Sequence, residues 1–159
     1  MDTILECLKA IGFVFIFLLI IGFPVWIYQE KQKNWKFQNV FSGRPPLNEQ
    51  DYYEQYFRDR NIPSDIVIKI RKILEEVLEV DLARLQPTDD FNNNLSFFFD
   101  YDSMAAEELV AKFEERFQIH INFIEAENAH TIEEIVNLVW FKVCQNKKAE
   151  DYSSAFLFR

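Results

Sequence analysis

Residues 98–117 read FFDYDSMAAEELVAKFEERF, and the fold turns on how the second half of that stretch is arranged. From Ser103 to Phe117, the residues Ala106, Leu109, Val110, Phe113 and Phe117 recur at spacings of three and four, which is one apolar stripe of an amphipathic helix. Glu107 with Glu114, and Glu108 with Glu115, form two acidic rows on the exposed side. Met104 falls roughly opposite the centre of the stripe, so an apolar side chain is expected to face water there. Ser103 stands at the head of this helix between an acid and that methionine. It is either a plain helix cap, a role for which Ser and Asp are preferred types, or a hydroxyl held out for an enzyme to modify.

Two further helices with the same kind of face flank this one. Upstream, Ile66, Ile70, Ile73, Leu74, Val77 and Leu78 recur at helical spacing after Ser64, a candidate N-cap, and the pattern ends near Glu79. Downstream, Thr131 and Glu134 have the spacing of a capping box, followed by the apolar face Ile132, Ile135, Val136, Val139 and Trp140. Between them, IHINFIEAENAH holds a short turn or helix, and long loops EVDLARLQPTDDF and FNNNLSFFFDYD precede Ser103. No strand pattern stands out. The expected fold is all-α, a small bundle of three main helices and one short one.

The N-terminal part differs in kind. Ala10 to Tyr28 reads AIGFVFIFLLIIGFPVWIY without a charge, close to the ~20 residues that span a hydrocarbon core. It is longer than the usual signal-peptide core of about 7–15 residues, no small-residue cleavage pattern follows, and Asp2 and Glu6 spoil a basic leader. Trp26 and Tyr28 suit the membrane interface. A retained single-pass anchor over residues 1–28 is therefore expected. Lys31, Lys33, Lys36 and Arg44 follow the span, which puts the C-terminal body on the cytoplasmic side, as for a bacterial inner membrane. The expected organisation is anchor 1–28, linker 29–61 with a short helix near Glu49 to Arg58, helical domain 62–144, and a polar then aromatic tail 145–159.

Charge and composition exclude several classes. With 17 Lys and Arg against 26 Asp and Glu the net charge is −9, so nucleic-acid phosphates would be repelled and basic partner surfaces favoured. The 2 cysteines, Cys7 and Cys144, imply no disulfide framework. Asp89, Asp90, Asp100 and Asp102 lack the turn glycine of a calcium loop, and His120 and His130 have no partner at ligand spacing, so no metal is expected. No nucleophile is paired with a base, and no glycine-rich phosphate loop is present, so the chain is not expected to be an enzyme.

Taken in order, these segments resemble the acyl carrier protein family. Val80, Asp81, Leu85, Pro87 and Phe91 match the loop after the family's first helix. Asp102, Ser103 and Met104 match its Asp-Ser-Leu motif. Glu108, Leu109, Val110, Phe113, Glu114, Glu115, Phe117, Ile119 and Ile121 match the helix that follows, and the likeness runs from Ile62 to Phe141. The resemblance implies a four-helix carrier domain with 4′-phosphopantetheine attached to Ser103 by a phosphopantetheinyl transferase. Acyl groups would be held on that arm as thioesters. Asp102 would orient the serine and the transferase, while Met104, Glu107, Glu108, Glu114 and Glu115 would dock acyl-transferring or acyl-activating enzymes.

Three departures from the family pattern are plain. SFFFDY inserts roughly four residues between Leu95 and the motif, Met104 replaces leucine, and Glu107 stands where the family has an apolar contact. The three phenylalanines of the insertion, Phe97 to Phe99, cannot all face one core; they cover the serine, line an acyl channel or lie on the membrane. The function expected is a membrane-anchored acyl carrier. The alternative is an interaction subunit that keeps the fold and binds partners without the arm.

Overall fold

The computed structural model describes residues 35–101 and 104–157, together with Phe17 and Gln32. Apart from Phe17, the uncharged run at residues 10–28 lies outside the described residues, as do Asp102 and Ser103. Among the described residues no helix is long and apolar enough to cross a membrane. The chain divides into two compact units, Met1–Asn39 and Val40–Arg159. All that follows concerns the second.

Its described secondary structure is helical, with one isolated antiparallel bridge between Asp90 and Thr131. In chain order the α-helices are α1 (Glu49–Tyr56), α2 (Ser64–Leu78), α3 (Phe97–Tyr101), α4 (Ala105–Phe117), α5 (Phe123–Asn128) and α6 (Ile132–Leu157). Helix α2 packs on α4 and α6, α4 packs on α6, and α1 and α3 lean on α2 and α4 respectively. This is the expected helical bundle with two additions.

The local signals behave largely as their chemistry dictates. Thr131 Oγ1 accepts the Glu134 N–H at 3.2 Å and the Glu134 carboxylate accepts the Thr131 N–H at 2.9 Å, so the capping box closes as read. A second box heads α5, where Asn122 and Glu125 exchange bonds of 3.0 and 2.9 Å. Ser64 is not the cap of α2. Pro63, extended at φ −60° and ψ 140°, is the boundary residue and Ser64 is the first helical residue, with no side-chain cap bond. Helix α2 ends on Glu79 in the left-handed conformation (φ 53°), and α4 ends likewise on Gln118 (φ 54°).

The apolar stripe of α4 sits one residue away from its expected centre. Ala105, Leu109 and Phe113 are buried, whereas Ala106 is exposed and Val110 and Phe117 are half-buried. The i, i+4, i+8 row thus faces the core, and the row beginning at Ala106 faces a cleft described below. Burying Leu109 and Phe113 contributes roughly 1.5–3 kcal/mol each.

The stretch read as linker holds part of the core. Phe41, Tyr52 and Phe57 are among the least exposed side chains of the described residues, and Ile62 is buried as well. Asn48 caps α1 by accepting the Asp51 N–H at 2.8 Å. Arg71, buried on α2, donates Nη2 to the Leu47 carbonyl at 3.1 Å and lies over the Tyr52 ring, while the Leu47 N–H bonds the Ala83 carbonyl at 2.7 Å. At the other end α6 runs on through Leu157, into the stretch read as tail, because no Gly or Pro interrupts it.

The loop between α2 and α3 is held by one carboxylate. Asp89, 1% exposed, accepts both 2.9 and 2.7 Å bonds from Arg44 Nη1, a 2.7 Å bond from the Gln86 N–H and a 2.7 Å bond from the Asn94 amide. Its own carbonyl accepts the Ile132 N–H at the start of α6 at 3.0 Å. Removing one member of a buried, hydrogen-bonded pair leaves the other charge uncompensated, at a cost of about 3–5 kcal/mol. Asp89→Asn should therefore lower the unfolding free energy by about 3 kcal/mol, read as a shift in urea midpoint at unchanged m-value. A shift below about 0.5 kcal/mol would mean that the pair does not hold the loop.

Candidate functional site

The site is built on the first turns of α4 and the elements that face it. Helix α3, made from the inserted residues, ends two residues before Ser103, and Met104 precedes the first residue of α4. On either side of the undescribed pair Asp102 and Ser103, Asp100 and Met104 are exposed, Met104 to 71%.

The expected docking residues do not share one role. Glu107, Glu108 and Glu115 are exposed on α4. Glu114 is half-buried and turned inward: its Oε1 accepts the Ile121 N–H at 2.7 Å and meets His120 Nδ1 at 2.7 Å. It thereby ties the segment after α4 back onto the helix. Lys112, between the acidic rows, pairs with Glu76 of α2 at 2.7 Å. The outward acidic face is thus Glu107, Glu108 and Glu115, with Met104 at its head.

Beside that face lies a cleft of about 1030 Å³ between α4, α5 and α6. Ala106, Val110, Ile121, Phe123 and Leu138 supply much of an apolar lining, and Glu107, Glu114 and Glu127 stand in it without any lysine or arginine. The inserted phenylalanines divide their work across this wall. Phe97 and Phe98 are buried, 5% and 2% exposed, with ring centroids 4.4 Å apart. Phe99 is half-buried, lines the cleft and stacks on Phe91 at 5.2 Å. Successive helical residues turn by about 100°, which is how three consecutive rings reach two surroundings.

The cleft was not visible in the sequence. Its residues come from α4, α5 and α6, from the loop at Phe91 and from the insertion, and the only hint was the row of aromatic residues placed where a core had no obvious room. Phe123, which lines the cleft, and Ile124 at the start of α5 are 79% and 67% exposed. Among the described residues no group of three or more His, Cys, Asp or Glu is placed to hold a metal ion.

Hydrogen bonds to its charged form hold Glu114 below the usual carboxylate range, chiefly the one from the Ile121 N–H and then that from His120, against a burial effect in the other direction. Glu134 is depressed in the same way by the Thr131 and His130 N–H groups. A carboxylate titrating lower in the folded than in the unfolded chain stabilises above the ordinary carboxylate range, and that contribution is lost as pH falls through the folded value. Stability should therefore decline on acidification below that range, and Glu114→Gln should flatten the acid limb of melting temperature against pH. An unchanged slope would show that the bond to Ile121 carries no linkage.

The sequence comparisons fall on this same region. Residues 69–139 match the family profile described as "Phosphopantetheine attachment site". The acyl carrier protein of Picosynechococcus sp. (strain ATCC 27264 / PCC 7002 / PR-6) is 37% identical over 82 residues, which cover 52% of this chain and 96% of that relative. The matched span takes in the helices that build the cleft, and with nearly all of a relative aligned at that identity, the chain belongs to the acyl carrier protein family and carries a covalently attached 4′-phosphopantetheine.

Proposed function

We propose that Ser103 is the residue that bears the phosphopantetheine, and that the chain works as a membrane-tethered acyl carrier. The observation that carries this reading is the exposed, cleft-bordering head of α4 inside the stretch that matches the attachment-site profile. When bound, the group supplies a thiol that holds acyl cargo as a thioester. The residues present fit it. Asp100 and Met104, on either side of the undescribed pair, are exposed, and the dipole at the start of α4 favours a phosphodiester near it.

The chain's own residues supply recognition, and the bond chemistry belongs to its partners. Asp102 would orient the serine and the phosphopantetheinyl transferase. Met104 would give partners an apolar contact beside the arm, and Glu107, Glu108 and Glu115 a field that steers basic enzyme surfaces. Glu114 contributes to that field from a half-buried position while keeping its structural bonds. The partners are that transferase and acyl-transferring or acyl-activating enzymes, membrane-bound ones among them. Residues 10–28 would fix the carrier to a membrane with its body on the cytoplasmic side, confining the thioester near the bilayer and raising its effective concentration for such enzymes.

Incubation of the full-length protein with coenzyme A and a broad-specificity phosphopantetheinyl transferase should add the mass of one phosphopantetheine, and Ser103→Ala should abolish the gain. Glu107→Lys with Glu108→Lys should slow that modification about ten-fold at low ionic strength, the difference shrinking as salt is added. No gain with native transferases supplied would sink the carrier assignment in favour of an interaction subunit without the arm. For the tether, the full chain should resist alkaline carbonate extraction from membranes while a version lacking residues 1–28 is released; release of both would remove the anchor from the reading.

A further inference from the structure

The geometry points to the inserted helix α3 as part of the docking face for the phosphopantetheinyl transferase, with Asp100 as the charged contact that the insertion adds. This rests on the carrier reading above. In the reaction served, the Ser103 hydroxyl oxygen bonds the phosphorus nearest pantetheine, the pyrophosphate bond of coenzyme A breaks, adenosine bisphosphate leaves, and the hydroxyl proton passes to a base on the enzyme. This chain supplies the nucleophile and the surface around it.

Chain length alone brings α3 to the reacting group. Consecutive Cα atoms are about 3.8 Å apart, so the Cα of Tyr101, the last residue of α3, lies within about 7.6 Å of that of position 103, and the Cα of Asp100 within about 11.4 Å. An enzyme that binds a protein substrate covers about 800 Å² of it, a patch of roughly 16 Å radius, which takes in both. Asp100 is exposed, so α3 contributes surface and not only core. The helix is also held in place. Phe97 and Phe98 are buried, Phe99 stacks on Phe91 at 5.2 Å, and the N–H groups of Phe98, Phe99 and Asp100 bond the Leu95 and Ser96 carbonyls at 3.1, 3.1 and 3.4 Å. Swinging it aside returns two phenyl rings to water. Charge then sets the kind of partner. With Asp100 before the attachment position and exposed Glu107 and Glu108 after it, acids stand on both sides of it in sequence. A transferase that fits has a recess for α3 and a cationic group opposite Asp100.

The experiment follows transfer of phosphopantetheine from coenzyme A to the full-length apo protein by the transferase of the same cells, as initial rates read from intact mass, at low ionic strength and at about 0.5 M salt. Asp100→Asn should lower kcat/KM about three-fold and Asp100→Lys about ten-fold, both through KM, with the losses shrinking as salt is added, while Asp100→Glu keeps the wild-type rate. Asp100→Trp, which adds bulk at an exposed position, should lower kcat/KM about ten-fold at either salt level. Unchanged melting temperatures separate recognition from folding, and where the tryptophan variant fails to fold the asparagine and lysine variants carry the test. A protein that neither this transferase nor a broad-specificity one modifies overturns the carrier reading and this inference together. A protein that only the broad-specificity enzyme modifies, or whose rate with its own transferase is shared by the asparagine, lysine and tryptophan variants, overturns this inference alone.

Discussion

The carboxylate of Asp89 is the point to which the other parts of the domain are tied. It sits in the loop between α2 and α3, reaches back to Arg44 ahead of α1, fixes Gln86 and Asn94 within its own loop, and lends its carbonyl to the first residue of α6. Taking a carboxylate out of water is expensive, and the arrangement is tolerable only because a guanidinium and two further donors converge on it. Once it is in place, the neighbouring Asp90 organises the asparagine run: it accepts from Asn92 at 2.7 Å and from the Asn93 amide at 2.6 Å, and Asn94 accepts the Asp90 N–H at 2.8 Å. The loop then runs directly into α3. The loop that leads into the inserted phenylalanines is thus held in part by Arg44, far from them in sequence.

That dependence explains how a carrier-like bundle absorbs an insertion beside its attachment motif. Two of the three rings are buried with the core, and the third is presented sideways to the cleft and braced by Phe91, itself in the Asp89 loop. The segment before α2 does similar work at the opposite end. Tyr52, Phe57 and Phe41 bury apolar surface that α2 would otherwise show to water, and Arg71 spans the seam by lying over the Tyr52 ring and bonding the Leu47 carbonyl. The helices that α4 needs for its own packing are therefore buttressed on both sides, while its outer face stays available for partners.

Division of labour among the acids is the other feature of the site. Two spacings that look alike on a helical wheel separate in space: Glu115 stays exposed, while Glu114 bends inward to hold the chain where it turns towards α5. A backbone N–H without a partner costs more than an exposed ion pair returns, which is why that bond takes precedence over display. The neighbouring Lys142–Glu125 pair at 2.6 Å, half-buried on both sides, does for α5 and α6 what Glu114 does for α4 and α5.

Sequence alone determined whatever is encoded within a few turns of chain. Helical periodicity marked α2, α4 and the first half of α6, the Thr131 and Glu134 box marked where the last of these begins, and the order of loop, Asp-Ser-Met and acidic helix marked the family. One of its errors was local in kind: a stripe read from spacing can be centred one residue off when Ala105 and Ala106 are equally apolar. Tertiary structure alone decided that Asp89 meets Arg44, that residues 40–62 belong to the core, that Glu114 turns inward, and that Phe99 and Phe91 wall a cleft. Each of these joins residues separated by long loops or by a change of helix direction. No period or spacing encodes such a pairing; it is set by which buried charge or ring can find a partner once the helices have closed on one another.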